Sequence, residues 1–143
     1  MIKNIKSGKN VVISPFTNVY GCILGDNVFV GPFVEIQKNV VIGNNTRIQS
    51  HSFICDGVII GNNVFIGHNV NTINDRFPKV NNPTWILENI FIEDDVSIGT
   101  GSTIMAGVTI SKGSVVGANS LVTKNIPKYE LWVGSPAKFV KRV

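Results

Sequence analysis

The sequence predicts an all-β chain wound as a parallel β-helix, and three observations carry that prediction. One aliphatic residue recurs every sixth position: Leu24, Val30, Ile36, Ile42, Ile48, Ile54, Ile60 and Ile66, then, in a shifted register, Ile92, Ile98, Ile104, Ile110, Val116 and Val122. Two residues before each of these stands a second small or β-branched residue, such as Val28, Val34, Thr46, Ser52, Val96 or Ser102. Side chains alternate along a strand, so the pair shares one face. Three residues before the beat lies Asn, Gly or Asp, as at Asn27, Asn39, Asn45, Gly57, Asn63, Asp95 and Gly107. These residue types tolerate a left-handed backbone and so end each unit in a tight bend. Short strands and bends repeating at this length describe a solenoid.

The elements follow in chain order within a single domain, residues 1–143. Residues 1–22 form a less regular entry coil, with Val11-Val12-Ile13 as a strand and bends at Pro15 and Gly21. Residues 23–71 carry regular six-residue units. A break follows at about 72–91, where Thr72-Ile73-Asn74-Asp75-Arg76-Phe77-Pro78 and Pro83 have the composition of a loop. A structureless stretch of that length is uncommon in a compact domain and is usually functional. The coils resume over 92–123, and Pro127 ends them, leaving a tail of about 127–143. Ser135-Pro136 has the cap-and-first-turn chemistry of a helix start, so a short C-terminal helix is expected, with Phe139, Val140 and Val143 on one face.

Composition narrows the function classes. The net charge is +4, and the basic residues are not interleaved with aromatics along a face, which disfavours nucleic acid as a partner. No run approaches the roughly 18–20 apolar residues of a membrane span, and Met1-Ile2-Lys3-Asn4 lacks the apolar region of a signal peptide, so a cytoplasmic location is expected. Cys22 and Cys55 stand alone and read as free thiols.

The exceptions within the repeat point to a site. In the first block the bend position departs from Asn, Gly or Asp only at Phe33 and His51, and Asn69 follows in the same column. If three units make a lap of about 18 residues, these three stack at one corner. Histidine is itself enriched in the left-handed region, so His51 is readable as a tolerated substitute or as a working side chain placed at a strained position. The departing loop is expected to adjoin this column. His68 reads as structural or interfacial.

At these residues a resemblance becomes specific. The six-residue beat, the interrupting loop and the tail Val133-Gly134-Ser135-Pro136-Ala137-Lys138 resemble the hexapeptide-repeat acyltransferases that use coenzyme A. The resemblance implies left-handed coiling, against the usual right-handed crossover. It also implies a homotrimer with active sites in the clefts between subunits, and acetyl-CoA as co-substrate. Arg47-Ile48-Gln49 with His51, and the stretch Thr72 to Pro78, look like the branch that N-acetylates nucleotide-linked amino sugars, nearest to dTDP-3-amino-3,6-dideoxyhexoses, with UDP-linked sugars next.

The chemistry can be argued beside that resemblance. Acetyl transfer to an amine needs the uncharged amine, a thioester carbonyl and an oxyanion donor. His51 is the candidate catalytic residue, either as the base or as the group that aims the amine. Asn69 is a candidate to orient the sugar or to donate to the oxyanion. Asn74 and Asp75 offer hydrogen bonds to the sugar, Arg76 offers a bidentate partner for a diphosphate, and Glu35 offers a further sugar contact. Phe33 and Trp85 are candidates to flank a nucleobase.

For the cofactor, the thin wall near Ala106, Gly107 and Ala118 and the basic end with Lys124, Pro136 and Lys141 are the expected elements. No metal is expected: a zinc carbonic anhydrase on this coil needs three histidines, and the chain has His51 and His68. An O-acetyltransferase of a sugar or small alcohol, and a non-catalytic β-solenoid binding module, are the alternatives.

Overall fold

A computed structural model describes all residues from Met1 to Val143. It contains strands and turns and no helix. The strands form three sheets of seven, six and eight members, parallel except for the last strand of the third, and these are the three faces of one coil. Successive strands visit the first, second and third face in turn. On the first face Glu35–Ile36, Phe53–Ile54 and Asn71–Thr72 stack in register, and Thr103–Ile104 follows.

The six-residue beat is the interior of this coil. The aliphatic residue ending each strand is buried, with Ile36, Ile48, Ile54, Ile66, Ile98, Ile104 and Ile110 fully inaccessible. Burying each such side chain contributes roughly 1.5–3 kcal/mol. The second buried column mixes Val with Thr46, Ser52, Ser102 and Ser114, and each of these hydroxyls donates to a backbone carbonyl at 2.6–3.0 Å. Ser52 and Thr46 also accept from the amides of Val70 and Val64 on the next coil, so the interior polar atoms fasten one lap to its neighbour.

Each corner is turned by one left-handed residue. From the second face to the third these are, on the first five laps, Asn10, Asn27, Asn45, Asn63 and Asp95, with φ between 56° and 62°, and then Gly113 at 72°. At this asparagine corner each side-chain amide donates to the next side chain above, from Asn10 to Asn27, Asn45, Asn63 and Asp95, at 3.0–3.3 Å. Between the first and second faces stand Asn39, Gly57 and Gly107, and between the third and first stand Phe16, Phe33, His51, Asn69, Gly101 and Asn119.

The interruption lies between Asn71–Thr72 and Phe91–Ile92, with no strand inside it. Coil pairing absorbs it without a shift in register: Ile59 pairs with Val41 on one side and with Phe91 on the other. The tail differs from the expected helix. Glu130–Gly134 adds to the third face beside Val115–Val116, and Ala137–Arg142 returns antiparallel to it. The cap signal of Ser135-Pro136 loses to tertiary context. The last coil leaves a row of unpaired backbone groups, and a hairpin rich in Val, Trp and Phe satisfies and closes that edge. Gly134, at φ 106°, makes the reversal. No helix of the chain is long and apolar enough to cross a membrane.

Candidate functional site

Two edges of the coil, on either side of the first face, collect the residues singled out from the sequence. The first edge is the corner from the third face to the first. Here Phe33 (φ 59°), His51 (φ 64°) and Asn69 (φ 52°) stack on successive laps, as their spacing predicts. The column begins one lap earlier, at Phe16 (φ 61°). Phe16 and Phe33 stack at a centroid distance of 5.6 Å and 10°, and Phe33 and His51 at 4.9 Å and 21°. The imidazole is exposed, with one face covered by Phe33. Beside it Ser50 Oγ and His68 Nδ1 are hydrogen-bonded at 2.8 Å.

Phe16 and the Ser50–His68 pair escape the spacing argument. The entry coils are one residue shorter, pairing Val12 with Phe29 rather than keeping the later spacing. The available signal is the dipeptide Pro15-Phe16, echoed by Pro32-Phe33.

The second edge, from the first face to the second, carries the loop. The chain leaves the coil after Thr72, at the far end of the strand that follows Asn69, because Asn69, Val70 and Thr72 still complete a regular unit. The loop therefore does not adjoin His51 within the chain; the width of the first face separates them. Asn74 Nδ2 donates to the carbonyl of Asp56 (3.2 Å), and the Asn74 carbonyl accepts from Trp85 Nε1 (3.2 Å). Asp75 accepts from the amide of Phe77 in a local turn.

Arg76 is engaged: Nε and Nη2 donate to Glu88 at 3.2 and 3.0 Å, and Nη2 also donates to the carbonyl of Ala106 at 2.9 Å. A diphosphate contact at Arg76 would have to compete with Glu88. Gly107 lies beneath this ion pair, while Ala106 is buried with its carbonyl taken. Gly57, at φ 84°, leaves room for Leu87 and Asn89 of the returning loop, and Asn89 Nδ2 donates to its carbonyl at 2.7 Å. Asp75, Arg76, Trp85 and Glu88 help to line a groove of about 630 Å³ within the loop.

Between the edges, Glu35 faces outward from the first face and accepts from Asn18 (3.3 Å) and Gln37 (3.1 Å). At the C-terminal end, Lys124, Trp132, Pro136 and Lys138 line a groove of about 250 Å³. The amide of Gly134 donates to Ser120 Oγ at 3.1 Å, which sets the tail turn at the end of the His51 edge. Ala118 is exposed on that same edge, and Lys141 is exposed on the final strand. Gly99 and Gly117 belong to coil packing: a Cβ at either would collide with Ala118 or Val133 of the next lap. No cluster of three His, Cys, Asp or Glu side chains is positioned to hold a metal ion.

The family described as bacterial transferase hexapeptide (six repeats) matches residues 21–56, 39–74 and 89–124. The chain belongs to this hexapeptide family. Among its relatives, the bifunctional protein GlmU of Thermotoga maritima is 38% identical over 138 residues, covering 92% of this chain; the chain spans only 28% of that protein's length.

Among solved structures of such chains, the hexapeptide-repeat acetyltransferase VCA0836 of Vibrio cholerae, complexed with acetyl-CoA, is 34% identical. The match covers 86% of this chain and 71% of that one, with a TM-score of 0.76. A mutant of AntD, an N-acyltransferase of Bacillus cereus complexed with dTDP and coenzyme A, superposes with a TM-score of 0.88 at 23% identity. That match covers 96% of this chain and 83% of that one, and at such identity the likeness is one of fold.

Proposed function

We propose that the protein is an N-acetyltransferase that moves the acetyl group of acetyl-CoA to the amino group of a nucleotide-linked amino sugar, with a dTDP-3-amino-3,6-dideoxyhexose as the best-supported class. The observation that carries this is the His51 edge. An imidazole replaces the turn residue, an exposed Asn69 stands one lap above it, and the tail turn closes the end of the same edge. The acetyl-CoA complex of the Vibrio cholerae relative supports the cofactor, and the dTDP and coenzyme A bound to AntD support the nucleotide-sugar class.

In this reading the neutral amine attacks the thioester carbonyl, a C–N bond forms, the C–S bond breaks, and the departing thiolate ends as a thiol. His51 takes the amine proton or aims the amine, and Asn69 donates to the oxyanion or orients the sugar. Lys124 and Lys141, with Pro136 and Ala118 lining the approach, hold the cofactor's phosphates and pantetheine arm. Asn74, Asp75, Arg76, Glu35 and Trp85 contact the sugar nucleotide.

Since the loop and His51 lie on opposite edges of one face, the reading takes the left-handed trimer implied by the resemblance as its working assembly. The loop edge of one subunit would then meet the His51 edge of the next.

The test is a panel of dTDP- and UDP-linked amino sugars, with hydroxyl-only counterparts, incubated with acetyl-CoA and scored by thiol release. Turnover with amino but not hydroxyl sugars is expected. Turnover confined to hydroxyl sugars would identify an O-acetyltransferase, and no acetyl-CoA binding at all would identify a binding module.

A further inference from the structure

Phe16 is an expensive residue for its position. It adopts a left-handed backbone, which a bulky side chain rarely does, and the residue is 78% exposed. The asparagine corner shows the economical alternative, where Asn10, Asn27, Asn45 and Asn63 each donate an amide hydrogen to the side chain above. An Asn at position 16 would suit the same bend. The phenylalanine forgoes the local hydrogen bonding of an Asn and leaves a large ring in water.

Stacking within the column does not account for all of this. Phe33 is sandwiched, with Phe16 a lap below and His51 a lap above, so neither of its faces is free to receive a planar ligand. The nucleobase platform expected at Phe33 is therefore occupied by the protein's own rings. The stack ends on His51 at one side and on Phe16 at the other, so of its two phenylalanines only Phe16 has a face that no ring of the column covers.

We propose that Phe16 is the stacking platform for the base of the nucleotide-linked substrate. This rests on the nucleotide-sugar reading above. Its geometry suits such a ligand, whose diphosphate and ribose separate the sugar amine from the base. Two ring steps, of 4.9 and 5.6 Å, likewise separate the imidazole of His51 from the open side of the column. With the amine at His51, the ligand runs along the edge past the rim of Phe33 and lays its base on Phe16. Stacking of this kind tolerates different bases, because each presents a π-face.

The test measures binding of dTDP, UDP and inorganic pyrophosphate to the wild type and to Phe16→Asn, Phe16→Tyr and Phe16→Trp by calorimetry. Phe16→Asn restores the usual corner residue, so its melting temperature should match or exceed the wild type. Its affinity for both nucleotides should fall by roughly five- to hundredfold, the range of one lost base–aromatic stack, while pyrophosphate binding is unchanged. Phe16→Tyr and Phe16→Trp should retain nucleotide affinity, and the tryptophan should be quenched on adding dTDP. Equal dTDP and UDP affinities in wild type and Phe16→Asn would overturn the platform and leave the nucleotide substrate standing. Equal losses for nucleotides and pyrophosphate would also overturn it, since the effect would then not involve the base. Absence of nucleotide binding in the wild type itself would remove both readings.

Discussion

The ring of Phe33 lies 4.9 Å from the imidazole of His51, with the two planes inclined by 21°. The imidazole is thus fixed from one side by an aromatic face and from its own backbone by a left-handed bend, and the residue is exposed at the corner. A side chain held this way aims without needing a partner hydrogen bond to orient it.

Replacing His51 with Asn should leave the fold intact, because Asn is the ordinary residue at such a bend. Thiol release from acetyl-CoA with the preferred amino sugar should nevertheless fall by roughly 10²- to 10⁴-fold, measured alongside a thermal melt. Turnover within a few-fold of wild type would remove His51 from the chemistry.

The Arg76–Glu88 pair fastens the two ends of the loop to each other and to the carbonyl of Ala106. Both side chains are partly exposed, so Arg76→Ala should change global stability by no more than about 1 kcal/mol. Hydrogen exchange should show the loss locally, with faster exchange of amides between residues 73 and 90 and unchanged exchange in the coils.

Ile98 is fully buried between laps. Ile98→Ala should cost about 2–5 kcal/mol in denaturant unfolding, from lost transfer energy and the cavity left behind. Ile23→Ala, at an outward-facing position that is 47% exposed, should cost far less and serves as the control.

Burial pushes the Cys22 thiol up from 9.0 to about 11, against a smaller downward pull from a backbone hydrogen bond. The folded protein therefore holds this proton more tightly than the unfolded chain does. Its contribution to stability is complete below about pH 9 and is lost as the pH rises through the folded value near 11. Melting temperature should fall over that window in the wild type and fall less in Cys22→Ala. The same burial should keep both cysteines silent toward thiol reagents near neutral pH until the chain unfolds.

The coil was readable from the sequence because every unit must satisfy two demands at once. Asn45 has to bend and Ile48 has to fill the interior, and neither position accepts much else, so the pattern repeats legibly. The column of Phe33, His51 and Asn69 was readable for the same reason, as a departure from a strict rule.

Phe16 was hidden by a single-residue change in lap length. The break near Thr72 was legible, but its distance from the His51 column was not, because the strand Asn71–Thr72 still crosses the first face, pairing with Phe53 on one side and Thr103–Ile104 on the other, before the chain departs. The tail was misread because Ser135-Pro136 is a local signal. What decides its conformation is the open edge of Val115–Val116, far away in the chain. Arg76 was read only as a partner for a diphosphate, because Glu88, the carboxylate it meets, stands at the other end of the loop.

The excursion between Thr72 and Phe91 starts and finishes at one corner, and the strands above and below it pair as though it were absent. Its ends are held to the coil by the carbonyls of Asp56, Gly57 and Ala106, but no strand pairing of the coil depends on its length. Such a segment can be exchanged for another without retooling the scaffold, which would let the groove it lines change while the column of Phe33, His51 and Asn69 stays put. Grafting a different excursion at that junction is therefore the natural engineering handle on this molecule.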